Sequence, residues 1–262
     1  MLSGNLLTSA PKVPLWFGCI TLFPELFQAL RYGVIGRALE QQMLHVETMN
    51  PRQFAKDNYQ RVDDYPYGGG AGMVMMAEPL CDAIDALKES APSTPHVIYL
   101  SPQGRVFDQV AALELMQKQS LILIAGRYEG IDERVLDTVD AEWSVGNFVL
   151  SGGEIAALLM IDVMARLLPG VVGDASSVAT DSITSGLLKY PQYTRPEVLN
   201  DRRVPSMLLS GHHQEIAKWR LKQALGRTWL KKPELLAKRQ LTQSETELLA
   251  EFISENNARK KD

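Results

Sequence analysis

The sequence has few of the residues that would build a metal site or a disulfide framework. Cys19 and Cys81 are its only cysteines, far apart and each in apolar surroundings. Without a C-x-x-C pair, a zinc ribbon and a disulfide scaffold are both excluded, and two buried thiols are expected in a reducing compartment. His45, His96, His212 and His213 never take the H-E-x-x-H spacing, so a metallohydrolase helix is absent and no metal-ligating set is expected. Long apolar runs are missing too. The richest helical candidate, Ile155 to Met164, is broken by Asp162 and is too short to cross a bilayer. Residues 1–12 carry no charged segment ahead of an unbroken apolar core and read as a flexible leader rather than a secretory signal. A cytoplasmic protein with no membrane partner is expected.

Net positive charge is also lacking. The formal charge is -4, which argues against nonspecific nucleic-acid binding by the whole surface. The deficit is uneven. Between Ser210 and Gln240 stand Lys218, Arg220, Lys222, Arg227, Lys231, Lys232, Lys238 and Arg239, opposed only by Glu215 and Glu234. Trp219 and Trp229 are interleaved with them. A solvated helix surface is the plain explanation of such a run. A phosphate-binding face accounts better for the contrast between the two ends of the chain.

What is present is a regular rhythm. Val13–Thr21 is an apolar run of strand length, and Pro24 suits the first turn of a helix. Val34–Leu44 has helical spacing, and Leu44–Met49 is strand-like again. From Glu78 onward helices and strands alternate: helix 78–90, strand 96–101, helix 108–118, strand 121–125, helix 132–139, strand 143–150 and helix 154–168. This alternation predicts an α/β domain with a mostly parallel sheet and helices on both faces. Pro169-Gly170 stops the last helix. Residues 173–185 are small and polar and read as a linker between a domain of residues 1–172 and one of residues 186–262. The second domain shows no strand rhythm and is expected to be all-helical. One amphipathic helix there, Gln214–Leu225, carries Ala217, Leu221, Ala224 and Leu225 on a stripe, with Gly226 as its C-cap. Thr242 and Glu245 form a capping-box pattern ahead of a final helix.

Glycine punctuates the chain where ligands are held. Gly68, Gly69, Gly70 and Gly72 follow Tyr65 and Tyr67 in a stretch with few apolar residues. They fit neither a G-x-G-x-x-G fingerprint, lacking its spacing and a preceding strand, nor a P-loop, lacking its Lys-Ser/Thr ending. A mobile surface loop is one reading, and a loop that closes over a site is the sharper one. Three further loops follow predicted strands: Tyr99 to Gly104, Ala125 to Gly130 and Val145 to Gly153. In open α/β sheets ligands sit outside the carboxyl ends of the strands, where these loops fall. With no phosphate cradle, a nucleoside-like ligand held by backbone amides and apolar walls is expected.

The motifs Y-L-S-P-Q-G-R, G-R-Y-E-G-I-D-E-R, V-L-S-G-G-E, Y-T-R-P-E-V-L and W-R-L-K-Q-A-L-G-R-T-W-L resemble the bacterial tRNA (guanine-N1)-methyltransferases that modify position 37, beside the anticodon. The resemblance runs from about Leu15 to Phe252. These enzymes are SPOUT methyltransferases, so it implies a trefoil knot at the end of the first domain, a homodimer whose active sites lie at the subunit interface, and tRNA as substrate. It implies S-adenosyl-L-methionine as methyl donor, with Mg²⁺ as a further requirement to test. Carried over by motif, the donor site would comprise Tyr99, Leu100, Ser101, Pro102, Gln103, Gly126, Arg127, Tyr128, Glu129, Val145, Gly146, Asn147, Phe148, Val149, Leu150, Gly152 and Gly153. Arg127 and Glu129 would face the donor or the target base, Asp181 would be the catalytic aspartate and Arg166 the catalytic arginine. Without the motif match, Arg166 would read as a dipole partner in a last helical turn and Asp181 as an N-cap. A knotted tRNA-binding module without catalysis is the alternative, and the presence of Asp181 counts against it. Asn147, Phe148 and Ala71 depart from the family's usual Asp, Tyr and Pro.

Overall fold

Two apolar runs, L-W-F-G-C-I and S-L-I-L-I, form the centre of the fold. They become strands β1 (Leu15–Ile20) and β6 (Ser120–Ile124), and every residue of both is buried. A strand covered on both faces has no solvent side, so its sequence is continuously apolar rather than alternating. The structure is a computed structural model that describes residues 13–172, 182, 183 and 185–259. The expected leader, most of the expected linker and Asp181 lie outside the described residues.

The remaining large strands are β2 (Leu44–Met49), β5 (His96–Val106) and β7 (Ala141–Ser144). They join in the order β2-β1-β6-β5-β7, with all neighbours parallel. Phe17 stands opposite Val46 on one side and Leu121 on the other, and Ile98 opposite Leu123. Helix α1 (Gly33–Glu40) crosses between β1 and β2. Helix α2 (Ala77–Ser90) buries Leu80, Ala83, Ile84 and Leu87 against Trp16, Ile20, Ile122 and Ile124. Each buried Leu or Ile side chain contributes about 1.5–3 kcal/mol of transfer free energy. Helices α3 (Gln109–Leu115) and α4 (Glu154–Ala165) pack on each other, and α4 also meets β1. Asp108 caps α3 by accepting from the Ala111 amide at 2.9 Å. Among the described residues, no helix is long and apolar enough to cross a membrane.

Several elements differ from the pattern-based expectation. The strand predicted over residues 143–150 ends at Ser144, because the Ser144 hydroxyl folds onto Gly146. It accepts from the Gly146 amide at 3.2 Å and donates to the Gly146 carbonyl at 3.0 Å, and Gly146 takes φ +150°. Strand β5 runs past Ser101 to Val106 with a break in register between Leu100 and Arg105. Residues 133–138 wind as a 3₁₀ helix, capped by Asp132 on the Arg134 amide, rather than as an α-helix. The stretch before the glycines holds β3 (Asp63–Asp64), which pairs antiparallel with β4 (Val74–Met75), so a short strand does precede them.

The described residues divide into two compact units, one of residues 13–172 and one of the described residues from 182 onward. The second unit contains α5 (His213–Lys231), α6 (Pro233–Ala237) and α7 (Gln243–Arg259), with the two-residue hairpin strands β8 (Val198–Leu199) and β9 (Arg202–Arg203). Asn200 and Asp201 both have positive φ, which suits the tight turn between those strands. Gly226 is not a C-cap. Helix α5 continues through it, and a Cβ there would lie 2.2 Å from Phe252 Cγ. The glycine therefore lets α5 and α7 approach closely. Of the expected stripe, Ala224 and Leu225 are buried and Leu221 is half-buried, while Ala217 is exposed. The capping box is present: Glu245 N donates to Thr242 Oγ1 at 3.2 Å, and Thr242 N donates to Glu245 Oε2 at 2.9 Å.

Candidate active site

Three adjacent strands, β6, β5 and β7, deliver their C-terminal ends to one edge of the sheet. The loops that leave them enclose a cleft of about 260 Å³. Tyr99, Ser101, Pro102 and Gln103 line it from β5, and Gly126, Arg127, Tyr128, Glu129 and Gly130 from the loop after β6. Trp143 to Gly146, Phe148 to Gly152 and Ala156 complete the wall. Leu100 is buried behind this wall, Asn147 is exposed, and Gly153 is buried at the start of α4.

Close backbone approach holds the loops together. The Gly153 amide donates to the Gly126 carbonyl at 2.9 Å, and a Cβ on Gly153 would lie 2.7 Å from Ala125 Cα. Behind the cleft, Arg127 is clamped. Its Nη2 lies 3.0 Å from Glu154 Oε2, its Nε donates to both Glu154 oxygens at 3.1 Å, and its guanidinium sits 4.4 Å from the Phe23 ring centre. Thr21 Oγ1 donates to Glu154 Oε1 at 3.1 Å. The Arg127 head group is thus committed to a buried carboxylate while its loop lines the cleft. Glu129 is exposed and packs against Gly72.

Tyr99 and Trp143 form the deep part of the wall. Burial, assisted by the Glu142 charge, pushes the Tyr99 phenol above its ordinary value, so it is neutral and able to donate. Trp143 packs edge-on to Phe107 at 6.2 Å, and the Arg105 guanidinium lies 4.8 Å from the Trp143 ring centre. The Trp143 Nε1 is buried with no hydrogen-bond partner among the described residues. The donor residues carried over by motif did not include Trp143, Ser144, Gly130, Ser151 and Ala156, although Gly130 and Ser151 lie in the predicted loops. The fold of Ser144 onto Gly146 is what turns the end of a strand into wall.

Arg166 is elsewhere. It caps the C-terminus of α4, twelve residues beyond Glu154, a distance of about 18 Å along the helix axis at 1.5 Å per residue. It is exposed, in line with the exposed Ile155, Leu159 and Asp162 at helical spacing. One chain therefore does not bring Arg166 into its own cleft.

Of the eight basic residues in the second unit, two are structural. Lys222 reaches Glu255 at 2.6 Å and Glu251 at 3.4 Å, tying α5 to α7, and Arg239 pairs with Glu245. Lys218, Arg220, Lys231, Lys232 and Lys238 are exposed, and Arg220 lies 5.0 Å from the centre of the Tyr190 ring. Among the described residues, no group of three or more His, Cys, Asp or Glu is placed to hold a metal ion.

Residues 15–238 match the family described as tRNA (Guanine-1)-methyltransferase TrmD. The chain belongs to that family. It is 54% identical over 247 residues to the tRNA (guanine-N(1)-)-methyltransferase of Vibrio campbellii, covering 94% of this chain and all of the relative. To the enzyme of the same name from Klebsiella pneumoniae it is 55% identical over 244 residues, covering 92% of this chain and 96% of the relative. To that of Vibrio cholerae it is 54% identical over 243 residues, covering 92% and 98%. The family is one of SPOUT methyltransferases, so S-adenosylmethionine is the methyl donor. The cleft suits such a donor. It has aromatic and aliphatic walls, a Trp143 N–H unpartnered among the described residues, and loops close enough to present backbone amides.

Proposed function

We propose that this protein transfers a methyl group from S-adenosylmethionine to N1 of guanosine 37 in tRNA. The observation that carries this reading is the convergence of the β5, β6 and β7 loops on one cleft, in a chain of this family. Residues up to 172 would hold the donor, with their last segment threaded as a trefoil knot, and residues 186–262 would hold tRNA in the cytoplasm. The donor supplies an electrophilic methyl on a sulfonium, whose leaving group departs neutral and needs no general acid.

The protein's part is then to handle the guanine. The N1 proton must leave as the methyl arrives, and the Asp181 carboxylate is assigned to accept it. An ordinary aspartate, with a pKa of about 4, is a weak base and gains strength from desolvation by the bound RNA. Negative charge grows at O6, where Arg166 is assigned as the stabilising cation. The cleft loops align donor and acceptor.

The position of Arg166 supports a homodimer. Ile155 and Leu159 are 55% and 41% exposed on the α4 face that ends in Arg166. Phe148 and Val149, 55% and 84% exposed, precede that helix. An apolar patch beside a cleft suits a self-complementary contact with a second copy, which would bring Arg166 of one subunit toward the cleft of the other. Light scattering should give twice the chain mass.

The deciding assay uses purified protein, labelled donor and tRNA transcripts carrying G or A at position 37, with Mg²⁺ and with chelator to read the metal's part. Label in N1-methylguanosine from the G transcript alone is the expected result. No transfer to the G transcript would sink the proposal.

A further inference from the structure

The tyrosine–glycine loop between β3 and β4 has no part in the chemistry above. It carries two exposed aromatic side chains. Tyr65 is 79% exposed and Tyr67 fully exposed. A tyrosine kept in water gains nothing from the fold for its aromatic surface, so two on one loop call for an external partner.

The loop is anchored at its base to the cleft. Glu129 N donates to the Met73 carbonyl at 3.0 Å, Met75 N to the Gly130 carbonyl at 3.0 Å, and Asp132 N to the Met75 carbonyl at 2.9 Å. A Cβ on Gly72 would lie 2.5 Å from the Glu129 carboxylate, so Gly72 lets the loop sit directly on the cleft wall. The tip is open: a Cβ added at Gly68 or Gly69 would meet none of the described residues within 4 Å. Cleft-lining Tyr128 stands beside Asp63 of β3 and Arg52, and burial together with the Asp63 charge holds its phenol above the ordinary value. The loop therefore has a fixed foot on the donor cleft and an aromatic tip in solvent.

We infer that Tyr65 and Tyr67 form a stacking surface for the unpaired RNA bases that flank the target guanosine. Unpaired bases are recognised by stacking on exposed aromatic rings, which needs no particular sequence. A target base drawn into the cleft leaves its neighbours unstacked at the cleft rim, where this loop stands. The inference rests on the proposed reaction and adds the elements that hold the neighbouring bases.

The test compares Tyr65→Ala, Tyr67→Ala and the corresponding Phe variants with the unaltered enzyme, measuring KM for the G37 transcript and donor affinity by calorimetry. Alanine should raise KM by about five- to a hundredfold at each stacking position, and phenylalanine should restore it to within about twofold. Donor affinity should not change. A transcript lacking the base next to the target should lose the same factor with the unaltered enzyme and nothing further with the alanine variant. Unchanged KM in both alanine variants, or phenylalanine as damaging as alanine, would overturn the stacking role. So would a parallel loss of donor affinity, which would make the loop a support for the cleft. If the unaltered enzyme fails to methylate the G37 transcript, the proposed reaction falls and this inference with it. If that enzyme is active and only the variants behave otherwise, the inference alone falls.

Discussion

The Arg127 guanidinium closes on the Glu154 carboxylate across the back of the cleft, 3.0 Å from Nη2 to Oε2, with the Glu154 side chain 1% exposed. The pair joins the loop after β6 to the first turn of α4. Removing one partner strands a buried charge. Arg127→Ala should lower stability by about 3–5 kcal/mol, and Glu154→Ala by less, because Arg127 keeps some contact with solvent. Replacing both, Arg127→Met with Glu154→Leu, should recover most of that loss in chemical denaturation. Methyl transfer should remain impaired, since the loop would have lost its orientation.

Asp181→Ala should lower kcat for methyl transfer by about 10²–10⁴-fold, the usual worth of a general base. Donor affinity, measured by calorimetry, should stay nearly unchanged. A large loss of donor binding would place the carboxylate in the donor site instead of at guanine N1.

Gly226→Ala tests the closeness of α5 and α7. The new methyl would meet the Phe252 ring, so the second unit should lose about 1–3 kcal/mol, as overpacked cores do. Adding Phe252→Leu should return part of the loss in a thermal scan. Donor affinity should not move in either variant.

His96 makes stability depend on pH. Burial pushes its imidazole below the ordinary value, Asp140 at 3.4 Å opposes this, and Lys118 reinforces it. As pH falls, the unfolded chain takes up the proton first, near its ordinary pKa of about 6.5. The contribution of His96 is therefore fully present above that value and is lost as pH falls through the lower folded value. The Tm should decline from pH 7.5 to 5.5, and His96→Gln should flatten part of that slope.

How much of this was legible in the sequence follows from what each residue does locally. The strands at Leu15 and Ser120 are continuous apolar runs, and Thr242 with Glu245 is a local hydrogen-bonding pattern, so both could be read. The parallel sheet followed from the alternation of elements, and the three cleft loops from their glycines. The role of Gly226 could not be read, because it depends on Phe252, which lies in another helix. The end of β7 was hidden by Val145, Phe148, Val149 and Leu150, which suit a strand although Ser144 and Gly146 fold the segment away. The Arg127–Glu154 clamp was invisible for a similar reason, since it joins residues whose nearness is a product of the fold.

The order β2-β1-β6-β5-β7 gives one short strand a position that its length does not suggest. Strands β1 and β2 are hydrogen-bonded to β5 and β7 only through β6, whose five residues are all buried. That strand is a keystone, and the loop after it carries Arg127. Loosening the cleft from the N-terminal half of the sheet would mean opening β6, the costliest opening in a sheet of this kind. A ligand gripped by the cleft loops should therefore slow amide exchange as far away as Phe17 and Cys19, which touch no part of the cleft.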